Sequence, residues 1–394
     1  MYDIKIYAYT CEGGCINQIY NLAAQSAFRD ETIRIMPDTH SGIGAVVGFT
    51  STMRSGLVIP NVIGVDIGCG MRVYELGKIE LDFPALDGFI KKNIPSGSDV
   101  RDTYYEEELI RSLYCFDKLV ELDRLYGSLG TLGGGNHFIE IDKGEDGRLY
   151  LVIHTGSRNL GTQVAKIYQK IAVNECKHAG DAERDAVISR LKTEGRVDDI
   201  PEALKKITEK YAHKTKIPDE LCYLEGSLAE DYLHDMRICQ EFAKRNREMI
   251  GNEILKFLKI PRADYFESVH NFIDDDNIIR KGAIPAYSGK RVLIPMNMRD
   301  GCIIGEGLSN PDWNFSAPHG AGRLMSRGEA KRTLNEDEFK AAMVGIYTTT
   351  ANASTIDEAP MAYKPTEEIL AQIGETVKII EVIKPVYNFK ASEL

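Results

Sequence analysis

The run Ile63-Gly64-Val65-Asp66-Ile67-Gly68-Cys69-Gly70-Met71 decides how this chain is read. An apolar, β-branched approach (Leu57-Val58-Ile59, then Val62-Ile63) leads to a carboxylate and a thiol three residues apart. The glycines between and around them free the backbone for a turn and for close approach of an ion or phosphate. An Asp oxygen and a Cys sulfur projecting from such a turn can share one divalent metal. The same residues also make a tight turn around a buried structural Cys, since a free thiol usually behaves as a small hydrophobe. This stretch accommodates both readings, and the rest of the chain separates them.

On the N-terminal side, Ile4 to Tyr9 alternates as a strand, and Cys15 to Ala27 has helical spacing. Ile33-Arg34-Ile35-Met36 reads as a strand that delivers Pro37-Asp38-Thr39-His40-Ser41-Gly42, and Val46 to Thr50 as another. On the C-terminal side, Leu81 to Leu125 reads as mostly helical. A glycine-rich loop, Gly127 to Gly135, opens onto Asn136-His137-Phe138-Ile139-Glu140-Ile141, and Leu149 to Ile153 is a buried-strand pattern ending at His154. From Gly161 to Phe257 the pattern is helical and heavily charged, broken near Pro201 and Pro218. Tyr265 to Val269 is a strand entering His270-Asn271. Sheet segments at Ile278 to Ile284 and Arg291 to Pro295 lead to Ala317-Pro318-His319-Gly320-Ala321-Gly322-Arg323, after which a helix is expected over Leu324 to Lys331. Val377 to Phe389 is strand-like. Strands interleaved with long helices predict an α+β fold, with a mixed β-sheet core and flanking helices. No repeat or linker marks a boundary, so one catalytic domain over 1–394 is expected, with 161–257 a mostly helical insertion.

The 394 residues are 43% hydrophobic and 27% charged, an ordinary globular balance. No apolar run reaches the roughly 18 residues of a membrane span. The start, Met1 to Lys5, lacks the basic head and apolar core of a signal peptide. Eight scattered cysteines suit a reducing compartment. These features together read as cytoplasmic. The net charge of −11 argues against non-specific coating of nucleic acid, but leaves room for an enzyme that grips an RNA end in a local basic cleft.

The eight histidines fall into two groups. His178, His213 and His234 lie in the charged helical region and read as solvated. His40, His137, His154, His270 and His319 each end an apolar run or sit in a glycine-rich turn, which is how a fold converges ligands from distant segments. His137, His154 and His270 can add imidazoles to Asp66 and Cys69. A thiolate can bridge two ions, and two ions about 3.5–4 Å apart suit phosphoryl chemistry. Mixed oxygen, nitrogen and sulfur donors fit manganese, zinc or iron rather than magnesium or calcium. The small residues around His319 leave room for a bulky group, and Arg323 suits phosphate, so His319 is a candidate nucleophile toward phosphorus.

Asp66 to Gly70, Gly130 to Glu140, His154-Thr155-Gly156-Ser157-Arg158, His270-Asn271 and His319 to Arg327 occur in this order. With Pro37 to Gly42 and Pro360-Met361-Ala362-Tyr363-Lys364, they resemble the RtcB family of GTP-dependent RNA ligases over nearly the whole chain. The resemblance implies the RtcB-like fold, two Mn(II) ions per site and GTP. It implies joining of RNA ends carrying a 3′-phosphate or 2′,3′-cyclic phosphate to 5′-hydroxyl ends, through a histidine–GMP intermediate, in RNA repair or tRNA splicing. His319 would carry the GMP. Asp66, Cys69 and His137 would hold one ion, and Cys69, His154 and His270 the other. Asn136, His137, Phe138, Ile139, Glu140, His270, Asn271, Gly320, Ala321, Gly322 and Lys390 would line the nucleotide site. The family's Pro-Gly-Ser-Met-Gly segment, with its later Ser, reads here Pro295-Met296-Asn297-Met298 with Cys302 at the Ser position. These five residues would line the same site. An archease-like activator is an implied partner, and a monomer is expected. A metal-dependent phosphoesterase acting on RNA 3′ ends without ligation, and a non-catalytic RNA-end sensor, are the competing readings.

Overall fold

In this computed structural model, residues 2–11 and 13–391 are described. Met1, at the head of the segment read for a signal sequence, lies outside them. In chain order the strands are β1 (Asp3–Ile6), β2 (Thr32–His40), β3 (Val47–Thr52), β4 (Gly70–Gly77), β5 (Phe138–Lys143), β6 (Leu149–Thr155) and β7 (Tyr265–Val269). There follow β8 (Phe272–Ile273), β9 (Ile278–Lys281), β10 (Ala283–Pro285), β11 (Arg291–Asn297), β12 (Gly301–Gly307), β13 (Ser316–Pro318) and β14 (Val377–Lys390). They build a seven-stranded sheet, β11-β12-β14-β5-β6-β4-β7, a five-stranded sheet, β1-β2-β3-β9-β8, and a two-stranded ribbon, β10-β13. Among the strands of the described residues, β1 and β2 alone pair in parallel. The mixture of helices with antiparallel sheets is the α+β class expected.

The larger sheet curls until its edges approach: the Leu293 N–H on β11 donates to Ser268 Oγ on β7 at 2.7 Å. Alternation along the strands gives it two apolar faces. Met71, Val73, Phe138, Tyr150, Val152, Leu293, Cys302, Ile304 and Ile383 pack together on the inner face. Ile139, Ile141, Leu151 and Ile153 face the other way, against Leu86 and Ile90 of the Phe83–Asn93 helix and Ile250 and Ile254 of the Ser227–Phe257 helix.

The charged region folds as four helices, Arg158–Lys177, Asp181–Thr193, Ile200–Thr215 and Ser227–Phe257. Pro201 occupies the first turn of the third of these, where its missing N–H costs nothing. Leu81 to Leu125 is less helical than its spacing suggests. Beyond Phe83–Asn93 it holds short α-helices at Glu107–Arg111 and Leu122–Tyr126, each entered through a Glu with positive φ, Glu106 and Glu121, and a single 3-10 turn at Phe116–Lys118. The helix expected from Leu324 starts at Arg327, because Ser326 caps it by accepting from the Glu329 N–H at 3.2 Å. The segment Ile278 to Ile284 breaks at Gly282 (φ 59°), which passes the chain from the five-stranded sheet to the ribbon. A Cβ there would run into Val47 and come within 3.2 Å of His319 Cε1.

Candidate active site

Four adjacent strands bring the metal-type side chains together. In the order β5-β6-β4-β7, all pairs are antiparallel, so the starts of β5 and β4 and the ends of β6 and β7 lie at one edge. His137 immediately precedes β5, His154 is near the end of β6, Cys69 immediately precedes β4 and His270 immediately follows β7. The Asp66 to Gly70 turn is tied to this edge. The His270 N–H donates to the Cys69 carbonyl at 2.8 Å, the Gly68 N–H to the Asn271 carbonyl at 3.1 Å, and Asn271 Nδ2 to the Asp66 carbonyl at 3.0 Å. Gly68 has φ 68°, and a Cβ on it would lie 2.8 Å from the Gln240 backbone, so glycine is required at that position.

Two overlapping triads result. The donor atoms of Asp66, Cys69 and His137 lie within 4.8 Å of one another, as do those of Cys69, His154 and His270. Cys69 Sγ is 3.5 Å from His137 Nε2 and 3.3 Å from His154 Nε2, and Asp66 Oδ2 is 3.1 Å from His137 Nε2. The far nitrogen fixes the tautomer of His154. His154 Nδ1 donates to the Asn136 carbonyl at 3.2 Å, since a carbonyl can only accept, whereas His137 Nδ1 lies between the Leu132 carbonyl at 2.9 Å and Arg158 Nη1, a donor, at 3.2 Å. The His154 Nε2 lone pair therefore faces Cys69, the arrangement that orients an imidazole ligand, and His137 Nε2 faces both Cys69 and Asp66. Burial and the neighbouring imidazoles hold His154 and His270 well below the ordinary histidine range, keeping them neutral. Burial would raise Asp66, but its hydrogen bond to His137 and the charges of His137 and Arg158 outweigh this and hold it at about 2. Burial and Asp66 push the Cys69 thiol up. Asp66 Oδ1 and His270 Nδ1 are buried without hydrogen-bond partners among the described residues. Mixed donors with free lone pairs aimed at shared points fit borderline divalent ions.

The loops carrying these residues are held from beneath by the Ser227–Phe257 helix. Asn246 is fully buried. Its Oδ1 accepts from the Gly130 and Thr131 N–H groups at 2.7 and 3.0 Å. Its Nδ2 donates to Thr131 O, Thr155 Oγ1 and Gly156 O at 3.0 to 3.2 Å. Arg247 Nη1 donates to the carbonyls of Gly68 and Thr155, each at 3.0 Å.

His319 stands beside the second triad, its ring centroid 4.7 Å from that of His270. Its Nδ1 donates to Asp38 Oδ2 at 2.7 Å, and the same oxygen accepts the N–H groups of His319 and Gly320 at 3.1 and 3.3 Å. Asp38 is fully buried. A carboxylate on Nδ1 leaves Nε2 as the free, nucleophilic nitrogen. A cavity opens in front, lined by Asn136, Phe138, Glu140, Pro295, Met296, Asn297, Met298, Gly320, Ala321, Gly322 and Lys390 together with His319 and His154. Lys390 Nζ pairs with Glu358 Oε2 at 2.7 Å and donates to the Asn136 carbonyl at 2.9 Å. Burial pulls the lysine's pKa down, and Glu358 opposes that shift.

Some residues expected around a nucleotide stand elsewhere. Ile139 points to the opposite face of β5, into the core. His137 and His270 belong to the triads rather than to the cavity wall. Asn271 braces the Asp66 turn and accepts the Gly282 N–H at 2.9 Å. Cys302 lies behind the wall, 3.9 Å from Glu140 Oε1.

Sequence reading missed Asp38, Glu358, Arg327 and Asn388, all in or beside the cavity. Asp38 and Arg327 lie inside motifs already quoted, and their position beside a candidate His was the available signal. Glu358 and Asn388 carried none.

The family described as "RtcB: tRNA-splicing ligase RtcB" matches residues 18–121 and 116–391. The chain is 27% identical to the RNA-splicing ligase RtcB of Escherichia coli strain K12, over 96% of this chain and 94% of that protein. It is 28% identical to the tRNA-splicing ligase RtcB of Aeropyrum pernix, over 92% of this chain and 88% of that protein. It is 25% identical to the tRNA-splicing ligase RtcB of Pyrobaculum aerophilum, over 93% and 87% respectively. With matches that run almost from end to end, the chain belongs to the RtcB family.

Proposed function

We propose that this protein is an RNA ligase that joins an RNA 3′-phosphate or 2′,3′-cyclic phosphate end to a 5′-hydroxyl end, using GTP, two manganese ions and a covalent GMP on His319. The observation that carries the reading is the pair of ligand triads sharing Cys69, set directly beside a histidine whose Nε2 is left free by Asp38. Asp66, Cys69 and His137 would hold one ion, and Cys69, His154 and His270 the other. Bound there, manganese would offset the charge between two phosphate groups and polarise their oxygens.

The protein's own part is orientation. Asp38 keeps the proton on Nδ1, so Nε2 offers its lone pair to the α-phosphorus of GTP: the N–P bond forms as the bond to pyrophosphate breaks. Lys390 and Glu140 face the cavity as donor and acceptor for the base, and Arg323 and Arg327 lie on its rim beside Glu358. Transfer of GMP from His319 to the RNA 3′-phosphate, which a cyclic phosphate becomes once water adds to phosphorus and the 2′-oxygen leaves, converts a poor electrophile, whose leaving group would be hydroxide, into one that expels GMP.

The test is labelling. With manganese and GTP labelled at the α-phosphate, the protein becomes covalently labelled and His319→Ala does not. Asp38→Asn retains the nucleophile but loses its orienting carboxylate, and labels slower by about 10²-fold or more. Equal labelling of His319→Ala sinks the assignment.

A further inference from the structure

A third group of buried, ligand-type side chains lies apart from the two that share Cys69. Glu140 and Asp142 on β5 and Cys302 on β12 place one donor atom each within 4.8 Å of one another. β5 and β12 are not neighbours, because β14 runs between them. Glu140 and Asp142 follow Phe138 on the same face of β5, so the group sits on the inner side of the curled sheet. Glu140 lines the nucleotide cavity, while Asp142 and Cys302 stand behind it. Their exposures are 2%, 0% and 1%.

The donors to the group are few: the Cys302 thiol, 3.9 Å from Glu140 Oε1, and Asn388 Nδ2. Among the described residues neither oxygen of Asp142 has a hydrogen-bond partner outside the group itself. Glu140 Oε2 accepts from Asn388 Nδ2, and Asn388 Oδ1 is itself buried without a partner. The nearby lysines are engaged elsewhere: Lys390 on Glu358 and the Asn136 carbonyl, Lys384 on the Asp300 carbonyl. Buried carboxylates are normally paired, hydrogen-bonded or bound to metal, and one whose oxygens meet only another carboxyl and a thiol points to a missing partner.

We propose that Glu140, Asp142 and Cys302 form a third cation site that takes one borderline divalent ion of the zinc type. Two carboxylates with a thiolate disfavour magnesium and calcium, which take oxygen alone. Three protein ligands are the usual number for a zinc ion that keeps one exchangeable position. Binding exchanges the Cys302 thiol proton, and any proton held by the carboxylate pair, for the ion, and these protons pass to water. The ion ties β5 to β12 across β14 and sets the charge of Glu140 where it faces the cavity. The site thus couples a structural cross-link to recognition of the base.

The experiment counts cations. The full chain is stripped with a chelator, reloaded with zinc, freed of excess ion and analysed for bound metal per chain. Asp142→Asn and Cys302→Ser each bind one equivalent fewer than the unaltered protein, with unchanged circular dichroism. The count is a difference, so it holds whether or not the ions at Cys69 bind as proposed above. A second measurement does not depend on how those variants fold. Cobalt(II) added to Cys69→Ser still gives thiolate-to-metal charge-transfer absorption, and the added Cys302→Ser change removes it. Equal metal counts in all three proteins, or no such absorption in Cys69→Ser, overturns the proposal and leaves a shared proton as the partner of the carboxylate pair.

Discussion

Cys69 is the one side chain common to both triads, and that sharing makes its removal different in kind from removal of any other ligand. Cys69→Ala is expected to lose both ions at this site, whereas Asp66→Ala weakens chiefly one, on the order of 10²-fold. Metal titration of the two variants, read by bound metal per chain, distinguishes them; loss of a single ion from Cys69→Ala would refute the bridge. A second residue-level consequence concerns Glu358. Burial would raise its carboxyl, but Lys390 and Arg327 hold it at about 2, below the ordinary 4.5. A depressed folded-state pKa contributes stability that is complete above about pH 4.5 and is lost as pH falls toward 2. The stability advantage of the unaltered protein over Glu358→Gln, measured as urea midpoints, therefore shrinks across that window and is constant above it. An advantage that grew on acidification would contradict the ion-pair account.

At the scale of elements, the site is an edge of four antiparallel strands, and this much was legible. Each of His137, His154, Cys69 and His270 stood at an end of an apolar run, and alternation of strand direction puts such ends together. The partners that hold the edge were not legible. Asp38 meets His319 across 281 positions, and Glu358 meets Lys390 from a segment with no strand or helix pattern of its own. Local spacing carries no information about such pairings. The overread helix between Leu81 and Leu125 has the same origin: apolar spacing there serves short turns packed on the core, not continuous helix. The Ser227–Phe257 helix was read as part of a flanking insertion, yet Asn246 reaches from it to make five hydrogen bonds to the glycine-rich loop and the turn after His154. Asn246→Ala leaves buried N–H and carbonyl groups unpaired and is expected to cost about 3 kcal/mol in chemical denaturation. It should also weaken metal binding although Asn246 is no ligand. Unchanged metal affinity would show that the loops hold their geometry without the helix.

For the molecule as a whole, the question is whether the metals and His319 act in one sequence or the metals act alone. A phosphoesterase would need the triads and a water, and would leave His319 and the cavity without a covalent role. The architecture places them together: the curl of the seven-stranded sheet brings the end of β14, with Lys390, beside the start of β5, and the His319 turn closes the same cavity. The protein carries a net charge of −11, so RNA held there must be gripped by this cleft rather than drawn to the surface at large. Arg323 and Arg327 supply the cleft's guanidinium groups, though both are paired with Glu358. RNA carrying a 2′,3′-cyclic phosphate and a 5′-hydroxyl, incubated with the protein and manganese, is therefore expected to be joined only when GTP is present. His319→Ala is expected to abolish joining in either condition. Release of inorganic phosphate from 3′-phosphorylated RNA without GTP, and no joined product with it, would move the assignment to a phosphoesterase. Joining that proceeds equally without GTP, in protein freed of any GMP carried through purification, would remove the reason for a nucleophilic histidine beside the metals. A GTP requirement is the decisive reading, because the 5′-hydroxyl could otherwise open the cyclic phosphate directly, with the 2′-oxygen as leaving group and no covalent GMP.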